Sequence, residues 1–148
     1  IAMMGLDGGR LNIGACSLGT ATAALKRAKE YVGEREQFGK KLAQFQALQF
    51  KLADMATELE AAKLMIYNAA AKVDAKSPDA TMLAAMAKRF ATDAGFNIIN
   101  EALQIHGGYG YLKDFPLERH LRDARVHQIL EGTNEIMRVI IARELLKN

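Results

Sequence analysis

Three short segments of this chain set glycine beside charged or amide side chains: Arg35-Glu36-Gln37-Phe38-Gly39, Gln104-Ile105-His106-Gly107-Gly108-Tyr109-Gly110 and Leu130-Glu131-Gly132-Thr133-Asn134-Glu135. Glycine lets a backbone come close to a ligand, and free amides at a helix end can donate to an anion, so each segment could hold a charged small molecule. The same residues also build ordinary turns, and their types alone leave both readings open. Glu131 could be a solvated acid in a turn or a charge near a helix N-terminus. Arg35 could form a surface ion pair with Glu34 or Glu36, which is worth little. No metal chemistry is indicated, because His106, His120 and His127 lack ligand spacing and Cys16 stands alone. Nor does any Ser-His-Asp or Cys-His pattern point to nucleophilic catalysis.

These segments lie between stretches of helical periodicity. From Arg10 to about Val32, apolar or small residues recur at Leu11, Ala15, Leu18, Thr22, Leu25, Ala28 and Val32, which predicts a first helix. The charged run from Glu34 to Lys41 interrupts it. Phe45, Leu48, Leu52, Met55, Leu59, Ala62, Ile66, Ala69 and Val73 then alternate steps of three and four. They predict a second helix of roughly thirty residues, about 45 Å at 1.5 Å per residue, a length typical of bundles. Ser77-Pro78-Asp79 reads as an N-cap, a proline at the first helical position and an acid in the first turn of a third helix. Its stripe is Leu83, Met86, Phe90, Ala94, Ile98, Ala102 and Ile105, and Gly107-Gly108 closes it. Tyr109 to Gly132 is irregular, with room for a short helix in the ERHLRDAR run. Thr133 caps a last helix, with Glu135 near its positive end and Ile136, Val139, Ile140 and Leu146 as apolar contacts. No alternation is long enough for a strand. The expectation is all-α: an up-down four-helix bundle forming one domain over residues 1–148.

Composition agrees with a folded domain, since half the 148 residues are apolar and a quarter are charged. The most apolar stretch, Ala61 to Ala71, carries Lys63 and Asn68, and is no bilayer span. The net charge of +3 is spread among alternating acids and bases, which argues against a nucleic-acid partner. The seven methionines lie along the helical stripes and read as core gap-fillers. The chain opens on Ile1 in an apolar IAMM with no charged leader, and is read as a piece of a longer protein.

Together and in this order, the segments resemble the C-terminal domain of the acyl-CoA dehydrogenases over essentially the whole chain. That family carries LDxxR before its first long helix, RxxFG after it, FQ opening the second, a QxxGG run after the third, and EGT or EGS before the last. Here they stand as Leu6-Asp7-Gly8-Gly9-Arg10, Arg35 to Gly39, Phe45-Gln46, the run from Gln104, and Glu131-Gly132-Thr133. The stretches Gly8 to Gly19 and His106 to Asp114, followed by RVHQILEG, look most like the family's isobutyryl-CoA dehydrogenase branch.

The resemblance implies roles. Glu131 matches the glutamate that takes the α-proton of an acyl-CoA thioester while a β-hydride passes to flavin N5, giving the trans-2-enoyl-CoA. A carboxylate suits the task once bound thioester excludes water. Arg35 matches the arginine at the FAD pyrophosphate, where a planar multi-donor cation is fitted. Phe38 matches a residue at the adenosine end of FAD or else caps the bundle, and Gln46 matches a further FAD contact, with Phe45 beside them or simply opening the core stripe. Gln104, Gly107 and Gly108 match the segment at the adenine and ribose. Thr133, Asn134 and Glu135 match the stretch over FAD that follows the base, although many relatives have glutamine where Glu135 stands and a carboxylate cannot donate to a flavin oxygen. Asp7 and Arg10 match the pair on the CoA side, joined by Gly132 and Arg143. Leu130 stands where many relatives have tyrosine, which alters the wall of the acyl pocket.

For the whole enzyme the resemblance implies an N-terminal helical domain and a middle β-barrel that this chain lacks, and electron-transfer flavoprotein as the electron acceptor. It further implies a homotetramer built as a dimer of dimers. Within it, RxxFG and QxxGG reach the FAD of a neighbouring subunit and EGT serves its own. Relatives act in fatty acid or branched-chain amino acid catabolism, in the bacterial cytoplasm or the mitochondrial matrix. The competing readings are an oligomerisation bundle that is inert alone and a family member diverted to another role.

Overall fold

The computed structural model describes residues 2–147, and side chains from residue 5 onward, so Ile1 lies outside the described residues. Five helices form: α1 Ala2–Glu34, α2 Gln46–Asp74, α3 Ala80–His106, α4 Leu117–His127 and α5 Asn134–Leu145. The all-α bundle is as expected, and the ERHLRDAR run does form a short helix, within α4.

α1 starts eight residues before the predicted Arg10, so Asp7 and Arg10 are helical. Glycines at 5, 8 and 9 weaken this turn intrinsically. A tertiary contact overrides them, because Arg10 donates to Asp7 at 2.6 Å and Thr81 of α3 donates to the other Asp7 oxygen at 2.7 Å. The third helix starts later than its sequence suggested. Lys76 turns the chain with φ 52°, Ala80 N–H donates to Ser77 O, and Asp79 rather than Ser77 is the N-cap. Pro78 thus shapes the turn that delivers the chain to α3 instead of beginning the helix.

Two strands of two residues escape any reading based on alternation. Glu36–Gln37 (β1) and Lys40–Lys41 (β2) pair antiparallel, Glu36 opposite Lys41 and Gln37 opposite Lys40. Phe38 and Gly39 between them both have positive φ, 52° and 76°, as a two-residue hairpin turn of the primed kind requires.

α3 runs through the centre and packs on all four other helices. This changes which of its residues are buried. The expected stripe residues Leu83, Met86 and Phe90 are only half-buried, whereas Ala84, Ala85, Ala87, Lys88, Ala91 and Thr92 are fully enclosed. A helix surrounded by others needs small residues where neighbours come close. The same holds for α1, where Ala15 and Thr22 face solvent while Gly14, Ser17, Ala21 and Ala24 face inward. A Cβ on Gly14 would run into Ile66 of α2, and one on Gly95 would meet Ser17 of α1. The α2 stripe from Leu48 to Val73 lies inward as expected, since α2 has one buried face.

Candidate active site

The Arg35 and Gln104 segments meet at one end of the bundle, around a cleft of about 410 Å³ lined by Tyr31, Arg35, Gln37, Ile105, Gly107 and Tyr109, among others. The end of α1 supplies Arg35, whose guanidinium carbon lies 5.4 Å from the centre of the Tyr109 ring. Among the described residues it forms no ion pair with Glu34 or Glu36. Behind it, Tyr31 stacks on His106 with ring centres 4.1 Å apart. The His106 Nδ1 donates to Ala102 O at 2.8 Å, and burial pushes the imidazole pKa below its ordinary value. Gly107 closes α3 with φ 59°, as its sequence suggested, and a Cβ on Gly107 or Gly108 would meet nothing within 4 Å, so the backbone lies open there. Gln104 is exposed on the last turn of α3 but does not line the cleft. Phe38, 91% exposed at the hairpin tip, meets Phe45 edge-on at 6.3 Å, and Gln46 is exposed at the start of α2.

Gly110 anchors the turn below this cleft. A Cβ there would stand 2.6 Å from Leu103 O and 3.0 Å from His106 Cβ, both in the helix that carries the wall. Because the obstruction includes backbone, Gly110→Ala is expected to lower stability by about 1–3 kcal/mol, the usual cost of overpacking. A denaturant titration checks this, and an unchanged midpoint would contradict it.

The Glu131 segment lies elsewhere, between α4 and α5. Glu131 itself has φ 54° and Gly132 has φ 88°, two successive left-handed residues. For a residue with a Cβ this conformation costs about 1–3 kcal/mol and persists only where the surroundings impose it. Those surroundings are on α3. Lys88 Nζ donates to Gly132 O and to Asn134 Oδ1, each at 2.8 Å. Asn134 Nδ2 donates to Thr92 Oγ1 at 2.9 Å and to Asp93 Oδ1 at 2.8 Å. Gln128 Nε2 reaches that same Asp93 oxygen at 2.8 Å, and the Asn134 amide closes the loop onto Gln128 O at 3.0 Å. Asn134 is thereby buried, with its side chain turned toward α3. Thr133 caps α5 as expected, accepting from the Ile136 amide at 3.3 Å. Glu135 is exposed in the first turn, where its own amide, then the Thr133 hydroxyl, hold its carboxyl below the usual range.

The Glu131 side chain is exposed, and its carboxylate lies over Gly9 of α1, so that a Cβ on Gly9 would collide with it. One residue further along α1, Arg10 is buried with Asp7, and its Nε has no partner among the described residues. Asp7 also forms a wall of a small cleft of about 190 Å³ with Lys76, Ser77 and Thr81. Arg143 is exposed near the end of α5, 3.6 Å from Glu144. The two candidate regions are well separated, since Lys88 and His106 are eighteen residues apart on α3, about 27 Å at 1.5 Å per residue.

Sequence reasoning missed Lys88, Thr92, Asp93 and Gln128, which fix the Glu131 loop, and Gly9, which makes room for its carboxylate. A signal existed: Lys88 has Ala84, Ala91, Thr92 and Gly95 at or near helical spacing, which places it on a face of small residues.

Comparison with known proteins matches residues 1–146 to the family model described as acyl-CoA dehydrogenase, C-terminal domain. The chain is 58% identical to the mitochondrial isobutyryl-CoA dehydrogenase of Dictyostelium discoideum, over 100% of this chain and 36% of that protein. It is 51% identical to the caffeyl-CoA reductase-Etf complex subunit CarC of Acetobacterium woodii, over 99% of this chain and 38% of that one. The solved structure of butyryl-CoA dehydrogenase from Megasphaera elsdenii superposes with a TM-score of 0.95 at 49% identity, over 99% of this chain and 38% of that one. The chain thus spans little more than a third of these relatives. With the motifs in order and the bundle superposing along its length, this chain belongs to the acyl-CoA dehydrogenase family, in the part that forms the C-terminal domain.

Proposed function

We propose that the chain is the C-terminal domain of an FAD-dependent acyl-CoA dehydrogenase that converts a short or branched acyl-CoA to the trans-2-enoyl-CoA, with Glu131 as the base. The observation that carries this reading is the state of Glu131: an exposed carboxylate on a left-handed residue whose neighbours are fixed on both sides by α3. Such a residue is aimed rather than merely solvated. Bound FAD would supply the hydride acceptor. Glu131 would take the α-proton as the C–H electron pair moves into the thioester, and the open surface at Gly9 leaves its carboxylate room to meet the substrate. The isobutyryl-CoA and butyryl-CoA relatives favour a short acyl chain. The relative from an Etf complex supports electron-transfer flavoprotein as the redox partner. Because that relative is named a reductase, the reverse direction is the second reading, with Glu131 returning a proton.

The Arg35 cleft fits the adenosine diphosphate half of FAD. Arg35 offers a multi-donor cation for phosphate, Gly107 and Gly108 offer open backbone, and Tyr31, Tyr109 and Ile105 offer apolar walls. The distance between this cleft and Glu131 supports the expectation that one chain's two regions serve different flavins. Gln104, Phe38, Phe45 and Gln46 border the same end of the bundle, and Asp7, Arg10, Gly132 and Arg143 remain proposed for the CoA side.

Rapid mixing of the full-length protein with a panel of acyl-CoAs tests the function. Bleaching of flavin absorbance, fastest with short or branched substrates, is expected. A flavin that no acyl-CoA bleaches would overturn the reading.

Assembly gives a further prediction. The long α2 stripe faces inward, so it cannot itself drive self-association. The outer surface of α2 nevertheless carries exposed large apolar residues, Phe50, Leu64 and Tyr67, at 59%, 61% and 62%. Leu64 and Tyr67, three residues apart on one helical face, offer a second copy an apolar contact. The chain is expected to self-associate while binding FAD weakly, because it offers walls only to the adenosine half. Light scattering with flavin absorbance on the same samples checks both parts, against a strict monomer or stoichiometric flavin.

A further inference from the structure

Lys88 has the largest side chain among the fully buried residues, it is charged, and the chemistry above gives it no part. Burial depresses its ammonium to about 8, and Arg10 adds to this, while Asp93 on its own helix and Glu135 and Glu131 on the facing segment act in the opposite direction. A lysine enclosed at this cost calls for a specific task. Its two bonds define one. They end on Gly132 O and Asn134 Oδ1, the residues that follow Glu131, while Asp93 holds Gln128 on the other side. No side-chain bond holds Glu131 itself among the described residues, so its direction is set through its backbone.

We propose that Lys88 is a positioning residue for proton abstraction: by holding the Gly132 carbonyl it keeps Glu131 left-handed and its carboxylate over Gly9. Either the ammonium or the neutral amine has enough N–H groups for both bonds. Without them, Gly132 O and Asn134 Oδ1 lose a buried donor and residue 131 is free to relax toward an ordinary conformation, which swings the carboxylate away.

This rests on Glu131 being the base, so the test follows the proton alone, in the full-length flavoprotein. A 3-thia-acyl-CoA has an acidic α C–H and a sulfur in place of the β-carbon. Its α-deuterium can wash out into solvent without any hydride leaving, and the washout is read by NMR. Lys88→Met is expected to slow washout about a hundredfold, as for an ångström-scale misplacement of a reacting group, with ligand affinity changed less than about threefold. Amide hydrogen exchange across residues 128–134 should quicken while the remaining helices keep their protection. Ile99→Val, which loosens the buried core of α3 away from the Glu131 loop, should remain within about threefold of wild type, since the geometry at Gly132 is kept. Washout in Lys88→Met near the wild-type rate overturns the proposal. So does an Ile99→Val loss equal to that of Lys88→Met, or faster amide exchange everywhere, because each marks a general structural role. If Lys88→Met does not accumulate as folded flavoprotein, Lys88→Gln, which keeps one donor, takes its place, and failure of both also overturns it. Undiminished washout in Glu131→Gln would instead sink the base assignment and leave the bonds of Lys88 without this purpose.

Discussion

Glu131→Gln in the full-length protein is expected to keep its flavin and its affinity for acyl-CoA while the rate of flavin bleaching falls about 10²–10⁴-fold, the range that a positioned general base contributes. The argument is geometric. Glutamine has nearly the shape of glutamate, the left-handed backbone at 131 is imposed by Gly132 and Asn134 rather than by the side chain, and Gly9 accepts either group. Folding and cofactor binding therefore have no reason to change. Bleaching at an undiminished rate would remove Glu131 from the chemistry, and loss of flavin would show that the side chain works on the cofactor instead.

Arg35→Ala is expected to weaken FAD binding about ten- to a hundredfold, the loss of a hydrogen bond from a charged group being worth about 1.5–3 kcal/mol. Its effect on stability should be small. The guanidinium lies over Tyr109 at the edge of an open cleft, outside each apolar cluster, and its cation–π contact at an exposed site is worth about 0.5–1 kcal/mol. The fold-defining groups of Arg35 are in its backbone, which alanine keeps: its N–H donates to Tyr31 O at 2.8 Å and its carbonyl accepts from Leu42 N–H at 2.9 Å. Flavin retained on dialysis, measured beside a thermal melt, separates the possibilities. Full flavin with a collapsed melting temperature would make Arg35 a structural residue.

How far the sequence revealed this protein depended on how many sides of each element are covered. α2 has one buried face, so its stripe from Leu48 to Val73 was legible as three-and-four spacing. α3 is covered on several sides, and there the rule that large apolar residues point inward misleads, because close neighbours select alanine and push Leu83, Met86 and Phe90 to the edges. Caps were partly legible. Thr133 and Gly107 act as their types suggest, whereas Ser77 yields to Asp79 because Lys76 and Pro78 fold the chain into a turn first. A hairpin of two-residue strands is too short to alternate, so the Phe38-Gly39 pair was its only trace.

The site was legible in its motifs and hidden in its supports. The Glu131 and Arg35 segments stood out because they set glycine beside charge where the helical periodicity breaks. Lys88, Thr92, Asp93 and Gln128 were hidden because polar residues in a helix read as solvent-facing until the neighbour that they bond is known. Gly9 was visible only as part of a motif, and its use in making room for a carboxylate 122 positions later in the chain arises only in the folded structure.

The central claim is that the Glu131 carboxylate meets the substrate's α-carbon, and the most direct measurement is a crystal structure of the full-length flavoprotein with a 3-thia-acyl-CoA bound. The expected result is a Glu131 carboxylate oxygen about 3–3.5 Å from the α-carbon, the separation of a reactive pair, with Lys88 still bonded to Gly132 O. A Glu131 side chain turned to solvent, with another acid nearest the α-carbon, would contradict it.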